Sequence, residues 1–320
     1  AVSAHLAALG DVDLGALIAR GDPVDVRGRV RPVKLNVEGV PVFLKAVPLT
    51  DLERRSGNLH ATRNLFRLPL YYQYGVGSLG FGAWRELAAS RMASDFVLSG
   101  VCERFPLLYH WRVIPREPTP LDDAWRERRA RYVAYWNDSA AIEARLEAFR
   151  AATASVALFL EYVPESLDTY LRRRLREDRA AGEAAMVWAH DQLDEVATFL
   201  GAQDVSHFDL HYHNVLTDGR AVYVTDFGLA LGSGFELSPG ERRFFERRRL
   251  YDRCYLANYL VAWLREFEDA APRTGALAER LERYRPVSDV MAAFILALRE
   301  QGKTTPYPAA RLERAFAQVA

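Results

Sequence analysis

Three oxygen-bearing side chains stand near one another in the second half of the chain. Asp209 and Asn214 lie five positions apart in the His-rich run His207-Phe-Asp-Leu-His-Tyr-His-Asn214, and Asp226 opens Asp226-Phe-Gly228. Moving a γ-phosphoryl group from ATP needs a carboxylate that orients the attacking hydroxyl and accepts its proton, together with oxygen ligands that hold Mg²⁺ against the phosphates. Asp209 suits the first task; Asn214 and Asp226 suit the second.

These residues need elements to position them. The apolar pair Val215-Leu216, the turn residues Asp218-Gly219 and the stretch Ala221 to Thr225 read as a hairpin of two short strands. That hairpin would fold Asp226 back beside the loop bearing Asp209. Gly228 is expected to supply a sharp turn just after the metal ligand.

The segment resembles the catalytic loop and DFG segment of the protein-kinase superfamily, H-R-D-L-x-x-x-N followed by D-F-G. With His211 two residues after Asp209, it is closest in form to the H-G-D-x-H-x-x-N of aminoglycoside phosphotransferases and choline-kinase-like small-molecule kinases. Phe208 matches neither the Arg nor the Gly of those patterns, so the link from that Arg to a phosphorylated activation loop is absent. The resemblance implies an α+β, bilobal protein-kinase-like fold with the active site between the lobes. A small antiparallel-sheet N-lobe would span 1–160, with a helical insertion at about 115–152, and a larger helical C-lobe would span 161–320. ATP and Mg²⁺ are the cofactors it implies, with Asp209 catalytic and Asn214 and Asp226 on the metal.

Upstream residues extend the resemblance. Val40-Pro-Val-Phe-Leu-Lys-Ala-Val47 alternates like a strand, and Lys45 stands where the lysine of a kinase third strand would stand. The chain is poor in lysine, with only Lys34, Lys45 and Lys303, so composition alone would put Lys at that position roughly one time in a hundred. Phe81 to Leu98 has apolar residues at helical spacing, and Glu86 on it is the candidate to pair with Lys45 and hold it on the α- and β-phosphates. Ser155 to Pro164 reads as a buried strand ending in a turn, followed by helices over Ser166 to Leu175 and Glu183 to Leu200. The resemblance then implies that backbone groups near Glu161, Tyr162 and Val163 meet the adenine edge and that Leu216 forms the floor under it.

Departures from the pattern are equally specific. No G-x-G-x-x-G precedes Lys45; a cationic stretch with Arg27, Arg29, Arg31 and Lys34 occupies that place, where charge could stand in for backbone amides. Phe43 shares a strand face with Lys45 where kinases keep a small residue over adenine. After Gly228 no A-P-E follows, and Ser238-Pro-Gly-Glu241 reads as a helix start with Ser238 as N-cap. Helices are expected over Glu241 to Arg249, Tyr251 to Phe267, Ala276 to Tyr284 and Val287 to Glu300. His207, His211 and His213 are better explained by this loop than as zinc ligands, with His207 a buried residue whose ring bonds nearby backbone.

The 42 basic and 42 acidic residues balance, so bulk charge suggests neither a nucleic-acid nor a membrane partner. No apolar run is long enough to span a bilayer, the N-terminus shows no basic region followed by an apolar stretch, and a cytoplasmic location is expected. Cys102 and Cys254 are too few for a disulfide framework or a cysteine zinc site and are expected in the core. The leading expectation is an ATP- and Mg²⁺-dependent kinase acting on a hydroxyl of a small molecule such as an antibiotic or metabolite. Phe227-Gly-Leu-Ala230 keeps a Ser/Thr peptide open as acceptor. A nucleotide-binding pseudokinase, or transfer of AMP from a flipped nucleotide, are the other readings.

Overall fold

The computed structural model describes residues 1–24, 32–267 and 275–319. The chain divides into two units, one of residues 1–69, 79–164 and 225–228, the other of 70–78, 165–224 and 229–320. The division falls after Pro164 rather than after residue 160. Two short segments cross over: 70–78 belongs with the helical unit, and 225–228, which carries Asp226, belongs with the sheet unit.

The sheet unit contains α1 (Val2–Ala8), α2 (Asp11–Ala19), β1 (Asp22–Pro23), β2 (Val33–Val37), β3 (Val40–Leu49), α3 (Asp51–Arg54), α4 (Ala83–Leu98), β4 (Leu108–Pro115), α5 (Asp123–Tyr135), α6 (Ala140–Ala151) and β5 (Ala154–Glu161). Its strands form one antiparallel sheet in the order β1-β2-β3-β5-β4. Side-chain alternation on β3 divides two cores. Val42 and Leu44 join Leu35, Phe159 and the helix residues Leu6 and Leu14 on one face; Phe43 and Val47 join Trp84 and Leu87 of α4 on the other. With both faces covered, β5 is buried from Ala154 to Leu160, which explains the apolar run Val156 to Leu160. The expected insertion is α5 and α6, tied together by Arg129, which pairs with Glu143 and, at 2.7 Å, with Glu147. It is anchored as well as helical, since Ile142, Arg145 and Leu146 of α6 are buried.

The helical unit contains β6 (Glu165–Ser166), α7 (Leu167–Glu177), α8 (Arg179–Ala202), β7 (Val205–Ser206), β8 (Val215–Thr217), β9 (Val222–Val224), β10 (Leu231–Gly232), α9 (Pro239–Glu246), α10 (Tyr251–Arg265), α11 (Gly275–Glu300) and α12 (Ala309–Ala317). The predicted hairpin is present as β8 and β9, with β6 on its outer edge. Ser238 caps α9 through a reciprocal capping box with Glu241. One expectation is corrected: the two helices predicted on either side of Arg285-Pro286 are a single helix, α11, with Pro286 inside it. Pro286 removes one backbone donor, but buried Tyr284, Val287, Met291 and Phe294 hold both halves to the same core. Cys254 is buried there, and burial pushes its thiol up to about 12. Cys102, in the sheet unit, is only partly buried, which corrects its expected place in the core. No helix among the described residues is long and apolar enough to cross a membrane.

Candidate active site

In the sheet unit, three predicted residues converge. Lys45 Nζ lies 2.6 Å from Glu86 Oε1 and 2.9 Å from Asp226 Oδ1, although Asp226 is 181 positions away in sequence. Burial opposes the Lys45 charge, but Asp226 and Glu86 outweigh it and hold the ammonium well above its ordinary value. Burial raises the Glu86 carboxyl and the Asp226 charge adds to this, while Lys45 and then Arg145 pull it down; the net is a raised value. Lys45, Glu86, Ser90, Leu158, Leu160 and Asp226 line a small pocket. Phe43 packs on the α4 face of the sheet, against the core that holds Trp84 and Leu87.

Asp226 adopts φ 62°, in the left-handed region that Asp tolerates better than most residues. The sharp turn assigned to Gly228 is therefore made two residues earlier. Gly228 is packed closely instead: a Cβ there would lie 3.3 Å from Glu86 Oε2, a tight approach, and 3.4 Å from Asp226 Oδ1. Its carbonyl is met more closely by Gly80, whose own Cβ would fall 2.5 Å from it.

In the helical unit, Asn214 Nδ2 donates to both the Asp209 carbonyl at 2.9 Å and Asp209 Oδ2 at 3.1 Å. This fixes the carboxylate and uses the amide group of Asn214, so that Asn214 Oδ1 is the atom suited to a cation. The Asp209 amide donates to His207 Nδ1 at 3.3 Å, and His207 is fully buried, in line with the structural role expected of its ring. His211 Nε2 is 3.6 Å from Asp209 Oδ1, and its ring stacks on Tyr259. His213 is placed against Asp168, 3.7 Å away. Among the described residues no three His, Cys, Asp or Glu side chains gather as a metal site.

Phe208 takes φ 64°, costly for a bulky side chain and of order 1–3 kcal/mol. Two things hold it. Its ring is buried against Tyr251 and Phe244 at centroid distances of 4.9 and 5.8 Å. Asp252 of α10 accepts the His207 amide at 2.6 Å and the Phe208 amide at 2.9 Å. Asp252 thus sets the backbone just before Asp209.

Other candidates are placed as follows. Glu161 ends β5; its amide donates to the Leu107 carbonyl at 2.8 Å and its carboxylate accepts the Leu107 amide at 3.2 Å, so the N–H of Glu161 is not an adenine donor. Val163 follows it, buried. Leu216 lies on β8, half-buried, opposite Tyr223 and Ser166. Lys34 lies over the Tyr162 ring at 4.5 Å, while Arg27, Arg29 and Arg31 lie outside the described residues.

Gly75 and Asp252 were not anticipated. A Cβ at Gly75 would fall 2.0 Å from Asp209 Oδ1, so only glycine fits against that carboxylate. A signal was present: Gly75-Val-Gly-Ser-Leu-Gly80 has the G-x-G-x-x-G spacing, but it follows Lys45 instead of preceding it.

Each unit carries an oxygen donor of the kind Mg²⁺ takes, Asp226 in the sheet unit and Asn214 in the helical unit. That ion takes one or two carboxylates and keeps water or substrate phosphate on its other positions, so it needs no cluster of acids. Asp226 has 46% of its side chain exposed, so its carboxylate is open to an ion.

No family model matches the chain, and no curated protein matches it. Among solved structures it is similar to the kinase domain of a Toxoplasma gondii specific rhoptry antigen, with 12% identity and a TM-score of 0.48 over 94% of this chain and 81% of that one. The organisation is α+β, with Lys45 on a strand of the antiparallel sheet, Glu86 on the helix that follows in its unit, and Asn214 just before the β8–β9 hairpin.

Proposed function

We propose that the chain is an ATP- and Mg²⁺-dependent O-phosphotransferase that acts on a hydroxyl group of a small molecule. The observation that carries this reading is the Lys45 ammonium held between Glu86 and Asp226. A module that only bound a partner would have no chemical need for that triad together with Asp209 clamped by Asn214.

The roles follow from the atoms. The Asp209 carboxylate receives the acceptor hydroxyl and takes its proton as the oxygen bonds to phosphorus and the bond to the ADP oxygen breaks. Asn214 keeps Oδ2 occupied, so the carboxylate presents one orientation. Lys45 brings positive charge to the α- and β-phosphates, and Glu86 keeps it there. Bound Mg²⁺ would neutralise charge on the β- and γ-phosphates. Positioning and charge compensation supply most of the rate in such a site.

A small acceptor is favoured by the segment after Gly228. Leu231 and Gly232 pair with Ser206 and Val205, Ser233 donates to the Asp204 carbonyl at 3.0 Å, and Ser238 already caps α9. Little chain remains for a peptide platform. The test is product mass after incubation with Mg-ATP and aminoglycosides, other hydroxylated metabolites and Ser/Thr peptides, with Asp226→Ala alongside. Gain of one phosphate on a small molecule, lost in the variant, supports the proposal; gain on peptide alone reverses the acceptor.

A further inference from the structure

Glu53 is 1% exposed, and its carboxylate accepts hydrogen bonds from three parts of the chain. Oε2 takes the Thr50 amide at 3.0 Å, the Thr50 hydroxyl at 2.6 Å and Arg145 Nη1 at 3.2 Å; Oε1 takes the Ala83 amide at 2.7 Å. The Glu53 carbonyl accepts the Trp84 indole N–H at 2.9 Å. Ala83 and Trp84 are the first residues of α4, and Glu86 stands in the same turn. A Cβ on Gly82, the residue before that helix, would fall 2.7 Å from Glu53 Oε1, so carboxylate and helix start are in close contact.

Arg145, also 1% exposed, reaches this carboxylate from α6, within the insertion between β4 and β5. Its guanidinium packs over Phe66 and Phe149 at 5.1 and 5.6 Å. Burying both members of an ion pair costs several kcal/mol per ion and is sustained only where further hydrogen bonds complete it. Here those further bonds run to the helix that presents Glu86.

We propose that Glu53 and Arg145 are positioning residues for the Lys45–Glu86 pair, and that the insertion, through Arg145, locks the first turn of α4 so that Glu86 stays against Lys45. Its catalytic consequence rests on the phosphotransferase reading; the lock itself does not.

Hydrogen exchange on the full chain, read by mass on peptides of α4, β5 and α8, tests the lock. Arg145→Met, which keeps side-chain bulk and strands the Glu53 charge, should speed exchange in the first turn of α4 by about tenfold or more while α8 and β5 keep their protection. Arg145→Lys should fall between it and the wild type. If Arg145→Met does not fold, Arg145→Met with Glu53→Gln removes the stranded charge and carries the same comparison. For transfer activity, Arg145→Met added to Glu86→Gln should lower kcat/KM no further, because both act through one contact. Exchange that rises everywhere alike or not at all, or two substitutions whose losses multiply, would overturn the lock. A wild type that transfers phosphate to nothing would remove the phosphotransferase reading alone, and the exchange result would still decide the lock.

Discussion

Lys45 of β3 and Glu86 of α4 meet at 2.6 Å, and the same ammonium reaches Asp226 at 2.9 Å. One cation thus serves two carboxylates. Lys45→Met should reduce kcat/KM for ATP-dependent transfer by about 10²-fold or more, and Lys45→Arg should not restore it, because a planar guanidinium cannot occupy the place of a compact ammonium between two acids. Steady-state kinetics with varied ATP checks this; near wild-type turnover in Lys45→Met would contradict the role.

Gly75 leaves no room beside Asp209. Gly75→Ala should displace the Asp209 carboxylate and lower kcat by about 10²-fold with the fold retained, since small misplacements of a catalytic group have effects of that order. Gly234→Ala is the control, because a Cβ there meets nothing within 4 Å. Equal losses in the two variants would show that the close approach at Gly75 is not what matters.

Asp252 gives a pH dependence of stability with a definite sign. Burial outweighs the two backbone N–H groups and raises its carboxyl from 3.8 to about 6. Between those values the folded protein keeps a proton that the unfolded chain has released. Its stabilising contribution is therefore complete below pH 3.8 and is lost as pH rises through about 6. Denaturant unfolding across that range should show the stability of the wild type falling relative to Asp252→Asn, which cannot titrate, and a constant difference above it. A difference that is flat throughout would remove this assignment.

Pro286 is exposed inside α11. Pro286→Ala restores a backbone donor and removes a steric conflict, and should stabilise the protein by about 1–3 kcal/mol. A thermal melt reads the result directly; an unchanged or lower Tm would mean that the helix is bent at this point for packing.

Much of the site was legible in the sequence because its residues are chemically distinctive and locally patterned. Asp209, Asn214 and the β8–β9 hairpin lie within one short stretch, and Lys45 stood out in a lysine-poor chain. What escaped has long-range causes. Asp252 acts on a backbone 45 positions away, and nothing local to α10 marks it. The glycine pattern that begins at Gly75 follows Lys45, away from the place where a phosphate loop is expected. The N-terminal helices α1 and α2 each bury only one or two residues, Val2 and Leu6 in the first and Leu14 in the second, too few to show a helical stripe. Pro286 was read as a break because propensity points that way, and packing overrode it.

The most direct test of the central claim follows the label from γ-labelled Mg-ATP to a panel of hydroxylated small molecules and Ser/Thr peptides, using wild type and Asp209→Asn at equal nucleotide occupancy. The account predicts labelled acceptor from the wild type and about 10³-fold less from the variant, with nucleotide affinity preserved. Equal transfer by Asp209→Asn, or bound nucleotide with no label moved to any acceptor, would contradict it.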